Sequence, residues 1–264
     1  MRIDEGVDWS APWLAGIREI GLQIASCADW RAELNHQALS LQLRNHSQLP
    51  IQFVAQQELP VGASYEAHIS ATGCVPTRDN LHDFFNALVW LTYPLIKAQL
   101  NALQAAQIAR IGIGKSRGPS RDAATLFDEN AALLAVSDTP VGHELVQALR
   151  SHQWQQVFME RRSEFKTHIS VSLFGHAIME KLVRPYKAIT AHTLVCRVAP
   201  DFHHASAAQQ HAMLDHQIAT QLASHELLPG VFSPLPILGV PNWWPNQDSA
   251  FYADSEVFRA ARQR

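Results

Sequence analysis

The most informative part of the sequence spans residues 72–93 and reads TGCVPTRDNLHDFFNALVWLTY. Asn80 is a good N-cap residue, and a cap there places Asp83 in the first turn. A carboxylate at that position can reach back to the chain before the helix and favours the positive end of the helix dipole. Pro94 either ends the helix or opens a second one. We therefore predict a helix that begins after Asn80 and ends near Tyr93.

The side chains of this helix indicate burial on both sides. At 100° per residue, one line holds His82, Asn86, Val89 and Tyr93, flanked by Asp83 and Trp90, and the opposite apolar stripe holds Phe84, Ala87, Leu88 and Leu91. Between residues 81 and 96 the only formal charge is Asp83. A solvated helix face normally carries Lys, Glu or Arg, so we predict that other parts of the protein cover both faces.

The polar face of the helix permits two interpretations. In the structural one, Asp83 is a capping residue, and His82 and Asn86 are satisfied buried polar groups beside packed aromatic rings. In the functional one, His82 and Asp83 supply a base or metal ligands in a pocket floored by Trp90 and Tyr93. The sequence leaves both interpretations open.

Composition narrows the class of protein. The chain has 264 residues with 47% hydrophobic and 17% charged residues, which is typical of one globular domain over residues 1–264. A net charge of −3 without a block of Lys or Arg argues against nucleic-acid binding. No apolar segment is long enough for a membrane span, and no signal peptide is evident. Three scattered cysteines favour free thiols, so we expect a cytoplasmic protein of undetermined oligomeric state.

Periodicity and turn residues predict the other elements. The helical N-terminal part, about residues 1–48, holds helices at 12–27 and 29–41, and a short strand follows at 51–55. Later elements are a helix at 94–110, a hairpin of strands 123–127 and 131–136, a helix at 142–165, a strand at 168–174, a helix at 175–183 and a strand at 188–198. Residues 112–118, GIGKSRG, match only the end of a phosphate-binding loop, and we interpret them as a flexible basic turn.

A second candidate site lies on the predicted helix at 175–183. His176 is at its N-terminus, where the dipole keeps an imidazole neutral, and Glu180 follows one turn later. An ordinary i,i+4 pair explains the same spacing. Arg121 and Asp122 precede the first predicted hairpin strand, where chain ends often carry function.

Two groups are given structural interpretations. Asp128 and Glu129 are assigned to the hairpin turn, although they could bind a cation. A further group has metal-compatible spacing, but it flanks an amphipathic helix and is interpreted as a solvated face: His203, His204, His211 and Asp215.

The C-terminal tail, about residues 228–264, differs from the rest of the chain. Residues 229–245 contain five prolines, and Trp243 and Trp244 lie in the same stretch. We predict an extended segment without regular structure that drapes over the body and is pinned by Phe251, Tyr252 and Phe258.

Four segments carry a family resemblance. In chain order they are TGCVPTRDNLHDFFNALVWL, RDAATLFDENAALL, LFGHAIMEKL and PLPILGVPNWWPNQDSAFYADSEVFR. Together they resemble an uncharacterised bacterial family, domain of unknown function 3025, over nearly the whole chain from about Phe53 onward. Asn242 stands where the family tends to have Gly, so the turn before the two tryptophans is expected to differ. The resemblance implies a single bacterial domain and implies no activity.

These observations predict an α+β fold that is mainly helical, with a small sheet made of the hairpin and the strand-helix-strand unit. The leading hypothesis is an enzyme, a metal-assisted hydrolase whose pocket forms where the central helix meets the His176 helix and the hairpin. The predicted catalytic residues are His82, Asp83, Asn86, Asp122, His176 and Glu180. The predicted binding residues are Arg78, Trp90, Tyr93, Arg121, Trp243 and Trp244. His82 and His176 would hold a divalent metal. The alternative is a non-catalytic protein that binds a small molecule or peptide.

Overall fold

The computed structural model describes residues 2–111 and 118–261, so most of the predicted basic turn lies outside the described residues. The α-helices are α1 (Arg18–Ala25), α2 (Trp30–Ser40), α3 (Tyr65–Thr72), α4 (Leu81–Thr92), α5 (Pro94–Ile111), α6 (Pro119–Asn130), α7 (Pro140–Arg150), α8 (Arg162–His168), α9 (His176–Lys181), α10 (Ala207–Ser224) and α11 (Ser249–Tyr252). The strands are β1 (Gln52–Ala55), β2 (Cys74–Thr77), β3 (Ala131–Ser137), β4 (Ile169–Leu173), β5 (Thr190–Val198) and β6 (Ser233–Pro236). The α+β prediction is confirmed.

Two sheets organise the strands. β1 and β2 form a parallel pair, with Phe53 opposite Val75. The larger sheet has the order β4-β3-β5-β6, in which β3 is antiparallel to β4 and parallel to β5. All seven residues of β3 are buried, as expected for a central strand covered on both faces. β3 therefore separates β4 from β5, and the two ends of the predicted strand-helix-strand unit do not pair with each other.

Helix α4 forms as its sequence predicts. The Asn80 side-chain oxygen accepts the backbone N–H of Asp83 at 2.8 Å, and all residues from 83 to 91 are buried. Both faces of α4 are therefore covered. Pro94 opens α5 directly, and the backbone N–H groups of Leu95 and Ile96 donate to the buried Asp215 carboxylate. The solvated-face interpretation is therefore wrong for Asp215, which belongs to the core side of α10.

The predicted hairpin is wrong in its first half. Residues 119–130 form α6, and only β3 is a strand. Pro119 fits the first turn of a helix, and Ala123, Ala124 and Phe127 have the helical spacing of a buried stripe. A short apolar run can belong to either element, and here the helical periodicity prevails.

Two longer predictions are also corrected. The helix predicted at 142–165 is interrupted after α7, where His152 has a positive φ of 57°, and resumes as a π-helical segment (Gln156–Glu160) and α8. The tail contains regular structure, because β6 pairs with β5. β6 is an edge strand, so Pro234 and Pro236 remove no hydrogen bond from the interior of the sheet.

The tail packs on the body as expected. Phe251, Tyr252 and Phe258 are buried, and one continuous hydrophobic cluster extends from Trp9 to Phe258. Asn242 has a φ of 72°, the left-handed conformation that glycine adopts most readily. All three cysteines are free. Within the part of the chain that the structure covers, no helix combines the length and the apolar character needed to cross a bilayer.

Candidate functional site

A polar cavity of about 320 Å³ lies among α3, α4, α5, α6 and the start of α9. Six of the predicted site residues line it: Arg78, His82, Asp83, Asn86, Trp90 and His176. The volume is at the small end of the range for ligand pockets. The wall of the cavity therefore brings together the two regions of sequence that carried the candidate histidines.

His82 on α4 and His176 on α9 face each other. Nε2 of His82 lies 3.1 Å from Nε2 of His176, and the ring planes are inclined by 83°. On its other side, His82 Nδ1 lies 2.9 Å from an oxygen of Glu180. Side-chain exposure falls from 43% at Glu180 to 32% at His82 and 6% at His176. The three groups thus form a chain of contacts from the surface to the cavity wall.

Gly175 explains how His176 reaches this position. A Cβ added to Gly175 would lie 2.4 Å from the carbonyl oxygen of Glu129 and 2.5 Å from the backbone nitrogen of Ala131. Only glycine allows the start of α9 to approach the end of α6 so closely. This approach places Nδ1 of His176 4.0 Å from a carboxylate oxygen of Asp128.

Burial controls the charge of His176. Burial is the main cause that lowers the pKa of the imidazole; the Lys97 and His82 charges act in the same direction, the carboxylate and backbone of Asp128 oppose them, and the resulting pKa is about 4. The ring is therefore neutral at pH 7. Its Nδ1 atom is enclosed and has no hydrogen-bond partner within the described part of the chain.

A second network crosses the cavity wall through Lys97, which is buried on α5. Its ammonium donates to Asn86 Oδ1 at 2.8 Å and to Asp128 Oδ1 at 2.5 Å. Asn86 Nδ2 in turn donates to the Tyr65 hydroxyl at 3.0 Å. Burial acts to raise the pKa of Asp128, but the Lys97 and histidine charges prevail and lower it below its ordinary value. Asp128 is therefore ionised and paired with Lys97 at neutral pH.

The two predicted arginines are engaged by carboxylates. Arg78 donates its backbone N–H to Asp83 at 2.6 Å and two guanidinium N–H groups to the same carboxylate at 3.0 and 2.8 Å. Hydrogen bonding to Asp83 raises the pKa of Arg78. Arg121 is buried with a guanidinium nitrogen 3.6 Å from Glu66. These pairings leave little uncompensated positive charge on the two predicted binding arginines.

The remaining predicted residues lie outside the cavity wall. Asp122 is exposed in the first turn of α6, and Tyr93 is buried against Phe174, with ring centroids 5.8 Å apart. Trp243 and Trp244 are half-buried in the tail, where Trp243 lies 6.5 Å from Trp13 between ring centroids. Their functional roles stay predictions that the cavity does not support.

The family can be assigned from the sequence match. The family model described as "Protein of unknown function (DUF3025)" matches residues 51–262. The chain belongs to this family. The resemblance carried by the four segments is confirmed, and every residue that lines the cavity lies within the DUF3025 match. The searches of curated proteins and of solved structures gave no match to the chain.

Sequence reasoning missed several cavity residues of this DUF3025 protein. They are Tyr65, Glu66, Lys97, Asn101, Thr125, Asp128 and Glu129. Lys97 did carry a signal, since only it and Arg110 are charged between residues 94 and 111. Asp128 and Glu129 are possible cation ligands in the sequence, but the segment that predicts a hairpin turn there is the last turn of α6. Once the segment is a helix, Thr125 and Glu129 share one face, one turn apart.

The metal hypothesis has limited support among these residues. Across the described ranges, no group of three or more His, Cys, Asp or Glu side chains is placed to hold a metal ion. His82 and His176 offer two nitrogens, but Asp128, the carboxylate next to His176, is bonded to Lys97. A metal at this position stays a prediction.

Proposed function

We propose that the protein is an enzyme that hydrolyses a small polar substrate in this cavity by acid–base catalysis, with His176 as the base. The observation that supports the proposal is the chain Glu180–His82–His176, which ends at a neutral imidazole in the cavity wall. Hydrolysis is the simplest reaction for such a site, because it requires only an activated water.

The proposal assigns one set of proton positions to the hydrogen-bond chain. In it, the Glu180 carboxylate accepts the N–H of His82 Nδ1, which leaves His82 Nε2 without a proton. His82 Nε2 then accepts the N–H of His176 Nε2, so that the lone pair of His176 is on Nδ1. This tautomer is the one a base needs, and Glu180 sets it through His82 as the carboxylate does in a catalytic triad.

Proton transfer to His176 can be followed along the same atoms. His176 Nδ1 is enclosed in this structure, so the proposal requires that the substrate and its water open the cavity wall at this atom. Nδ1 then takes a proton from the water as the water oxygen bonds to the substrate, and the Asp128 carboxylate 4.0 Å away stabilises the imidazolium. The imidazolium then gives this proton to the leaving group of the substrate, which restores the neutral ring. Glu180 stays bonded to His82 and orients the chain without taking the proton.

Lys97 and Tyr65 supply the groups that would stabilise negative charge on a substrate oxygen. Two N–H bonds of Lys97 are directed to Asn86 and Asp128, and no third acceptor is found within the described ranges. Burial, followed by the Asp83 and Asp128 charges, raises the pKa of Tyr65, so its hydroxyl stays protonated. Donors held in a partly enclosed site stabilise a developing oxyanion without reorganisation.

The test is a screen of small ester, amide and phosphoester substrates with wild type and variants. We expect His176→Gln to reduce the rate about 100-fold or more, and Glu180→Gln to reduce it less while changing the pH profile. His192→Gln changes a half-buried histidine outside the cavity wall and is the matched control. Hydrolysis that His176→Gln leaves unchanged, or no hydrolysis of any substrate class, would overturn the proposal.

The same screen separates the other hypotheses. Metal analysis of protein purified without a His tag, and assays with a chelator, test the metal-assisted version. If removing a metal abolishes activity and adding it back restores activity, the water is activated by a metal held by His82 and His176 and not by His176 as a base. Ligand binding without turnover would favour the non-catalytic binding protein.

A further inference from the structure

The side of the cavity formed by α5 and α6 has hydrogen-bond acceptors that lack donors. Asn101 is 4% exposed, and its Nδ2 donates to the backbone oxygen of Glu66 at 2.8 Å. Asn101 Oδ1 and Thr125 Oγ1 are enclosed and have no partner among residues 2–111 and 118–261. Both residues line the cavity. Since buried polar groups are normally hydrogen-bonded, these two oxygens could accept donors from a ligand that enters between α5 and α6.

The charges on the cavity wall favour a cation. Four carboxylates line it against two basic side chains: Glu66, Asp83, Asp128 and Glu129 against Arg78 and Lys97. Arg78 is paired with Asp83, and Lys97 with Asp128. Glu66 lies 3.6 Å from Arg121, whereas Glu129 has no ion-pair partner in the part of the chain that the structure covers. An anionic ligand would meet this uncompensated carboxylate, and a cationic one would be attracted to it.

We infer that the ligand carries a positively charged amino group, which binds on the α5–α6 side between Glu129, Asn101 and Thr125. An ammonium has three N–H donors, and these residues offer a carboxylate, an amide oxygen and a hydroxyl oxygen as acceptors. The inference deepens the proposed function and rests on it, because it names the substrate class as small amines. The reacting group would then lie on the side of His176 and Lys97.

Three compounds with the same four-carbon chain test the inference by isothermal titration calorimetry. They are butane-1,4-diamine, butane-1,4-diol and butanedioate, which differ only in their end groups. We expect the diamine to bind about tenfold more tightly than either of the others. Glu129→Gln should weaken diamine binding about tenfold, whereas Glu226→Gln, the same charge change at an exposed position outside the cavity, should not.

The outcomes distinguish this inference from the proposed function. Failure of the diamine to bind, equal affinity for the diol or butanedioate, or an unchanged affinity in Glu129→Gln would overturn the amine inference. A denaturation curve of Glu129→Gln that matches wild type shows that the variant is folded. Binding is measured without turnover, so diamine binding with no hydrolysis overturns the proposed function alone. Hydrolysis of neutral substrates without diamine binding overturns the inference alone.

Discussion

Gly175 lies directly against the carbonyl oxygen of Glu129, at a distance that leaves no room for a Cβ atom. The contact joins the start of α9 to the last turn of α6 and sets the position of His176 relative to Asp128. The site therefore depends on a close contact between the backbones of α6 and α9.

Gly175→Ala should destabilise the protein by about 1–3 kcal/mol, because the added methyl forces the backbones of α6 and α9 apart. Urea denaturation measures the change in the free energy of unfolding. Gly230→Ala is the control, since nothing lies within 4 Å of the position of its Cβ, and it should change stability by less than about 0.5 kcal/mol. Equal stability of the two variants would contradict the close approach.

Lys97→Met should destabilise the protein by about 3–5 kcal/mol, because it leaves the Asp128 carboxylate without its partner in a largely buried position. The double variant Lys97→Met/Asp128→Leu removes both charges and should be more stable than Lys97→Met alone. Chemical denaturation of wild type, both single variants and the double variant completes the cycle. Additive effects would mean that the two side chains do not interact.

Asn80→Ala should destabilise the protein by about 1 kcal/mol, because the backbone N–H of Asp83 loses its acceptor at the start of α4. Asn80→Asp keeps an acceptor at the same place and should be close to wild type. Thermal denaturation of the two variants checks the cap. If Asn80→Asp is as damaging as Asn80→Ala, the cap does not explain the stability of α4.

The free energy of unfolding should fall in mild acid, because His176 is held neutral in the folded protein and is protonated more readily in the unfolded chain. Its pKa is about 4 in the folded protein, against 6.5 for an ordinary histidine. Between these values the unfolded chain binds more protons, so the contribution is complete above pH 6.5 and is lost as the pH falls toward 4. The loss amounts to about 3 kcal/mol at most.

Asp215 changes stability in the opposite direction over part of this range. Burial raises its pKa to about 6, although the N–H groups of Ile96 and Leu95 oppose the shift. Its contribution is therefore present at low pH and lost as the pH rises through 6. Comparing urea denaturation of wild type and His176→Gln from pH 7 to pH 4.5 isolates His176. Wild type should lose more stability than the variant, and parallel pH profiles would contradict the prediction.

Local elements were predictable where their signals lie within one or two turns of chain. The Asn80 cap, the span of α4 and the start of α5 at Pro94 are examples. The apolar run in α6 predicts a strand because short apolar runs fit both periods, and the prolines in β6 argue against an interior strand. Tertiary packing resolved both cases, through the buried stripe of α6 and through pairing at the sheet edge.

The sequence by itself determined which residues were candidates: His82 and Asn86 lie on the polar face of one predicted helix, and His176 and Glu180 lie one turn apart on another. Only the tertiary structure decided that His82 and His176, 94 positions apart, meet Nε2 to Nε2 beside Glu180. It alone brought Lys97 to Asp128 across α5 and α6. Capping and periodicity act between neighbours in the chain, whereas these contacts depend on how separate helices pack. That packing is fixed by the shared core and by the space left at Gly175.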